Sequence, residues 1–116
     1  MFKHMDDINP LQHLIDRIPD QWGKYICVAD GWHKIIIELD RQLALIDPKY
    51  EIHQVKEKFG GLRYYCTLDF DETARELIKV AEQKCDETCE TCGVPGVART
   101  GGWVKTLCDS CAAKKQ

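Results

Sequence analysis

Two C-x-x-C pairs near the C-terminus constrain this chain more than any other feature. They lie in CETCGVPGVARTGGWVKTLCDSC, residues 89–111, with fifteen residues between Cys92 and Cys108. A C-x-x-C turn brings two thiolates within reach of one ion. Two such turns facing each other supply four soft donors at tetrahedral corners, the arrangement Zn²⁺ takes in structural sites. Gly93 follows the first pair where a turn needs positive φ. Gly101-Gly102 can turn an intervening hairpin with strands near 97–100 and 103–107. The reading is a zinc ribbon in which Cys89, Cys92, Cys108 and Cys111 bind one Zn²⁺. Four thiolates leave no open position for water, so the ion is expected to be structural and its binding energy to be folding energy.

The chain has 116 residues and seven cysteines. An odd cysteine count, C-x-x-C pairing and the lack of a secretory signal pattern favour a metal site in a reducing cytoplasm over a disulfide framework. No apolar run approaches a membrane span. The formal net charge is −3; four thiolates on one Zn²⁺ bring it to about −5, which argues against a global basic field. The length suits one domain of residues 1–116, with an α+β body over 5–84 and a zinc-ribbon element over 85–116 packed on it. Residues 1–4 are set aside from the fold reading, Met5 being an alternative start.

The body reads as three helices and a hairpin. Asn9-Pro10 starts a short helix carrying Leu11, Leu14, Ile15 and Ile18, ended by Pro19. A short strand is expected near 25–28. Asp30 can cap a second, longest helix with a stripe of Trp32, Ile35, Ile36, Leu39, Leu43 and Ile46, stopped at Asp47-Pro48. Asp69 or Asp71 can cap a third, with Ala74, Leu77, Ile78, Ala81 and Cys85 on one side. Between them, two strand-like runs flank Gly60-Gly61, a dipeptide suited to a tight turn. That turn pairs Phe59 with Leu62, Glu57 with Tyr64, Val55 with Cys66 and His53 with Leu68 on a core face. It pairs Lys58 with Arg63, Lys56 with Tyr65 and Gln54 with Thr67 on the other. Cys27 and Cys66 read as small buried apolar residues. The fold class is α+β: three helices packed with a β-hairpin, plus a C-terminal four-cysteine ribbon.

Two surfaces are candidates for partner binding. On the outer hairpin face, Lys56, Lys58 and Arg63 cluster with Tyr65, and like charges across a strand pair call for something negative nearby. On the ribbon, Arg99, Trp103 and Lys105 form a second cluster, continued by Lys114 and Lys115 in the tail; Trp103 is expected to pack the ribbon on the body. No H-E-x-x-H, G-x-S-x-G or phosphate-binding glycine loop occurs, so no catalytic residue is expected. His53 lies diagonal to Cys66 in the expected register, which raises a thiol–imidazole pairing; the Asp6-Asp7 pair reads as a helix-start feature.

QVKEKFGGLRYY (54–65), followed by a helix and then C-x-x-C-G…GGWVKTLC-x-x-C, resembles a widespread group of small bacterial and bacteriophage proteins. They share a K-E-K-F-G-x-L-R-aromatic stretch ahead of a C-terminal C-x-x-C-G-x-P-G…G-W…T-L-C element. The resemblance covers residues 31–111 and implies a prokaryotic or phage setting, hence a host cytoplasm if phage-encoded; no activity transfers with it. The expected function is a zinc-stabilised protein-interaction module, an inhibitor or modulator of a host defence or nucleic-acid-processing complex. Nucleic-acid binding on the basic hairpin face is the alternative, and an enzyme with an unrecognised site the second.

Overall fold

The computed structural model describes residues 9–114. Residues 1–4, Met5, the Asp6-Asp7 pair and Lys115 lie outside them. The apolar stripe of the longest helix sets the architecture. Helix α2 (His33–Ile46) buries Ile36, Leu39 and Leu43, and α3 (Glu72–Asp86) buries Ala74, Ile78, Ala81 and Cys85 against it. Both cover the inner face of an antiparallel hairpin, β1 (Ile52–Lys58) and β2 (Gly61–Cys66), which contributes Ile52, Val55, Leu62, Tyr64 and Cys66 to the same core. The one-turn helix α1 (Gln12–Ile15) adds Leu14. The C-terminal segment forms a second hairpin, β3 (Val97–Arg99) with β4 (Lys105–Leu107), and a further short helix, α4 (Asp109–Lys114). The α+β plan with a ribbon-like cysteine element holds, with α4 as an addition.

Helix starts follow local chemistry in part. Asp71 caps α3, its carboxylate accepting from the Ala74 amide at 2.8 Å, and Asn9 accepts from the Leu11 amide at 2.8 Å. Asp30 does not cap α2. A 3₁₀ turn, Asp30–Trp32, intervenes, and no side chain caps either piece. The turn is instead tied to the ribbon: the Gly31 amide donates to the Glu90 carbonyl at 2.7 Å, and the Trp32 indole donates to the Thr88 carbonyl at 2.9 Å.

The hairpin register differs from expectation by two residues. Lys58 pairs with Gly61, Glu57 with Leu62, Lys56 with Arg63, Val55 with Tyr64 and Gln54 with Tyr65. The turn is Phe59-Gly60, not Gly60-Gly61, and both residues take positive φ, 55° and 80°. That is the signature of a two-residue turn matched to strand twist, one that ordinarily selects Asn or Gly at both positions. A two-residue slip preserves the faces, so Leu62, Tyr64, Val55 and Cys66 still point inward. Phe59 leaves the core for the turn, and an irregularity between Ile52 and Gln54 seats Ile52 in the core instead of His53. The displaced His53 stacks on Trp22 outside, ring centroids 4.8 Å apart.

Segment 25–28 lies alongside β1. Cys27 makes a parallel bridge to Lys56, with its amide donating to the Val55 carbonyl and its carbonyl accepting from the Glu57 amide. Ile26 and Val28 pack on the core, whereas Cys27 is exposed, against the expectation that it is buried. Alternation along an edge segment decides this: its neighbours take the inward positions.

The core also holds a polar network. Asp40 sits within the α2 stripe and is buried. It accepts from Arg17 Nε at 2.7 Å and from the Tyr50 hydroxyl at 2.6 Å, and the Tyr50 and Tyr64 hydroxyls are 2.6 Å apart. Arg17 lies over the Tyr50 ring at 4.3 Å. Burial pushes both phenols far above their ordinary range, so they stay neutral and serve as hydrogen-bonding struts joining α2, β2 and the α1 region.

A side chain at Gly31 has no room. A Cβ there would lie 2.1 Å from the Cys89 carbonyl oxygen and 2.5 Å from that of Glu90. Gly31→Ala is therefore expected to push the ribbon off the body and destabilise the metal-loaded protein by about 1–3 kcal/mol, read as a lower urea midpoint. An unchanged midpoint contradicts the close backbone packing.

Candidate metal centre and binding faces

Cys89, Cys92, Cys108 and Cys111 converge: their sulfur atoms all lie within 4.8 Å of one another. Cys92 Sγ and Cys108 Sγ are 3.7 Å apart. A tetrahedral four-thiolate site with metal–sulfur bonds of about 2.3 Å has edges of about 3.8 Å, so the donor set fits a metal ion. Each knuckle is built by local backbone bonding. The Gly93 amide closes the first turn on the Cys89 carbonyl at 3.0 Å, with Gly93 at φ 87° as expected. The Cys111 amide points at Cys108 Sγ at 3.4 Å. Arg99 braces the second knuckle, donating to the Leu107 carbonyl at 2.9 Å and to the Asp109 carboxylate at 2.8 Å.

The four thiols are not equivalent. Burial works against ionising Cys89, but backbone hydrogen bonds from Cys108, Cys92 and Thr91 outweigh it and draw the thiol down to about 6. Cys111 is pushed up to about 12, first by its hydrogen bond with Cys108 and then by burial and the other thiols. Binding a metal at all four therefore releases protons, and retention weakens as pH falls and thiolates are protonated.

Glu90, inside the first C-x-x-C, anchors the cluster to the body. Its carboxylate is buried and accepts from the Thr106 amide at 2.8 Å; its own amide donates to the Thr106 carbonyl at 2.9 Å. Lys105 Nζ lies 3.5 Å from the same carboxylate and 3.0 Å from Glu57 on β1. Burial works against the Lys105 charge, yet the hydrogen bond to Glu57 and the two carboxylates hold its pKa above the ordinary lysine value. Thr106 then donates from Oγ1 to the Gly60 carbonyl at 2.7 Å in the main hairpin turn. Glu90 did not stand out in the sequence, and Glu57 did so only as a polar exception on the core face of the hairpin; an acidic residue between two cysteines is an ordinary solvated side chain until its partner, Lys105, is known.

The candidate partner residues divide accordingly. Lys105 and Arg99 are engaged in the ion pairs just described. Trp103 does not pack the ribbon on the body: it is 77% exposed on the loop between β3 and β4. Lys56, Lys58, Arg63 and Tyr65 share the outer face of the main hairpin, where the actual register sets Lys56 opposite Arg63. Among the described residues, none of the three cations has a carboxylate within 4.0 Å. Arg63 leans toward α3, where burial raises the Glu82 pKa and the Arg63 charge offsets only part of that rise. Lys58 Nζ sits over the exposed Phe59 ring at 5.5 Å.

His53 and Cys66 do not form a thiol–imidazole pair. His53 faces Trp22 outside, while the Cys66 thiol is buried 3.9 Å from Asp69 Oδ1 and is raised to about 11, chiefly by burial. Cys85 likewise lies in the core, its thiol pushed up to about 12 by burial and nearby carboxylates. No helix among the described residues is long and apolar enough to cross a membrane.

These environments predict a graded thiol chemistry. With metal bound, brief treatment with iodoacetamide is expected to modify Cys27 alone. After chelation the four cluster cysteines should join it, while Cys66 and Cys85 react only on denaturation. Peptide mass spectrometry checks this. Rapid labelling of Cys66 or Cys85 in the folded protein, or indifference of the cluster cysteines to chelation, contradicts the placement.

Comparison with protein-family models yields no match, and comparisons with curated proteins and with solved structures yield none either.

Proposed function

We propose that the protein is a zinc-stabilised module that works by docking onto another protein, with the cysteine cluster holding one Zn²⁺ in a structural role. Phe59 carries this reading. It is a bulky residue at φ 55° and 70% exposed, in a turn position where Asn or Gly sits without strain. Holding an L-residue in the left-handed region costs roughly 1–2 kcal/mol, and an exposed ring regains little of that by burial. Strain kept at an exposed aromatic marks a functional position. Its turn is clamped to the ribbon through Gly60 and Thr106, three residues along the chain from the exposed Trp103. Two exposed aromatics with Lys58 alongside suit a partner offering an apolar pocket rimmed by acidic groups, the composition of a protein–protein anchor.

In the prokaryotic or phage setting that the sequence resemblance implies, the partner is a component of a host defence or nucleic-acid-processing complex, and the effect is inhibition or modulation by occupancy. Zinc contributes by fixing the ribbon, and with it the Phe59 turn.

The test pairs stability with capture. Phe59→Gly is expected to raise the melting temperature by relieving the turn, a gain of about 1 kcal/mol. Combined with Trp103→Ala, it should abolish stoichiometric capture of a protein partner from a bacterial lysate. No stoichiometric partner for the unaltered protein, or undiminished capture by the double variant, overturns the reading.

A further inference from the structure

The face of the sheet opposite the core is a second surface, adjoining the Phe59 turn at Lys58. Its order is the Cys27 segment, β1, then β2. Because Cys27, Lys56 and Arg63 are bridge partners in turn, they share one side. Tyr25 lies two residues before Cys27, on the exposed positions of a segment whose Ile26 and Val28 face inward. Gln54 and Tyr65 pair in the neighbouring row. Tyr25 is 61% and Tyr65 44% exposed, and Gln54 is exposed between their strands. With strands about 4.8 Å apart, about two strand spacings separate the backbone segments that carry the two tyrosines. The stacked Trp22–His53 pair adds aromatic surface beside β1. α2 and α3 contribute their apolar residues to the core on the inner side.

We propose that this open face is a platform for single-stranded nucleic acid, with Tyr25 and Tyr65 stacking on bases and Lys56 and Arg63 contacting phosphates. Two observations favour a polyanion over a protein here. Lys56 and Arg63 stand opposite each other on this face, neither with a carboxylate within 4.0 Å among the described residues, in a chain whose net charge is −3. The exposed apolar groups on it are flat aromatics at the sheet rather than aliphatic side chains that would fill a pocket. Every base has a π-face, so such a platform tolerates sequence, and base–aromatic stacking is worth enough per base to favour unpaired strands. A duplex hides its base faces and would engage only the cations. Gln54, between the two tyrosines, can donate to or accept from a base edge. The platform uses different residues from Phe59 and Trp103 and meets that surface at Lys58, so a partner that processes nucleic acid and a bound strand could be held by one chain side by side.

The experiment is fluorescence anisotropy with the metal-loaded full chain and labelled oligonucleotides, a thymidine strand of about 15 nucleotides and a duplex of equal length. The single strand is expected to bind at least tenfold tighter than the duplex. Tyr25→Ala with Tyr65→Ala should weaken it at least tenfold with little change in salt dependence. Lys56→Glu should weaken it and make the slope of log affinity against log salt shallower by about one. Phe59→Gly with Trp103→Ala should leave it unchanged, which separates this inference from the docking proposal. No binding at low salt, equal affinity for duplex, or indifference to the tyrosine substitutions overturns it. Loss of protein capture in Lys56→Glu without any oligonucleotide binding assigns the face to a protein and overturns it equally.

Discussion

The buried carboxylate of Glu90 is the interaction on which the rest of the structure depends. It lies inside the first cysteine knuckle, yet its bonds run outward, to Thr106 and Lys105 on β4, while its backbone carbonyl receives the Gly31 amide at the start of the α2 region. A buried charge without partners is costly, and β4 supplies both partners of this one, while the backbone of the same residue holds Gly31 of the body. Glu90 therefore brings together the knuckle and the ribbon hairpin through its carboxylate, and the body through its carbonyl. Through Thr106 and Lys105 the same set of bonds reaches Gly60 and Glu57, so the main hairpin turn is positioned by residues of the ribbon. A metal at the four thiolates closes the remaining freedom by holding the knuckle that bears Glu90 to the one that follows β4.

Asp40 plays the corresponding part in the body. Removing one member of a buried hydrogen-bonded charge pair typically costs about 3–5 kcal/mol, more than most apolar substitutions. Its bonds to Arg17 and Tyr50, and through Tyr50 to Tyr64, tie the N-terminal turn to α2 and to the inner face of the hairpin. The two polar clusters sit at opposite demands of the fold. One specifies how the helices meet the sheet, and the other specifies how the ribbon meets the body. The outer sheet face and the Phe59 turn lie outside both clusters and stay exposed.

Much of this was legible in the sequence. Local periodicity carries the α2 and α3 stripes, Asp71 as a cap is a short-range signal, and the C-x-x-C spacing carries the cluster. What was not legible depends on distant partners. Two glycines after Phe59 suggest a Gly60-Gly61 turn, but Gly60 is seated by Thr106, 46 residues away along the chain, and by Glu57, which moves the turn back by one residue. Asp40 occupies a core position of the α2 stripe, and only its three-dimensional neighbours explain a charge there. Cys27 reads as buried because free cysteines usually are, until the inward positions of its segment are taken by Ile26 and Val28. The cations at Arg99 and Lys105 look free on a ribbon until Asp109, Glu57 and Glu90 come into range.

The central claim is that the cysteine cluster holds the ribbon to the body through Glu90, so that metal occupancy is felt in the body. Amide hydrogen exchange, measured residue by residue with and without a chelator, tests this most directly. The account predicts that chelation accelerates exchange at Glu90 and Thr106, and also at Gly31 and Gly60, whose hydrogen bonds lie outside the cluster, while the α2 and α3 core stays protected. Protection at Gly31 and Gly60 that is indifferent to the metal would contradict it.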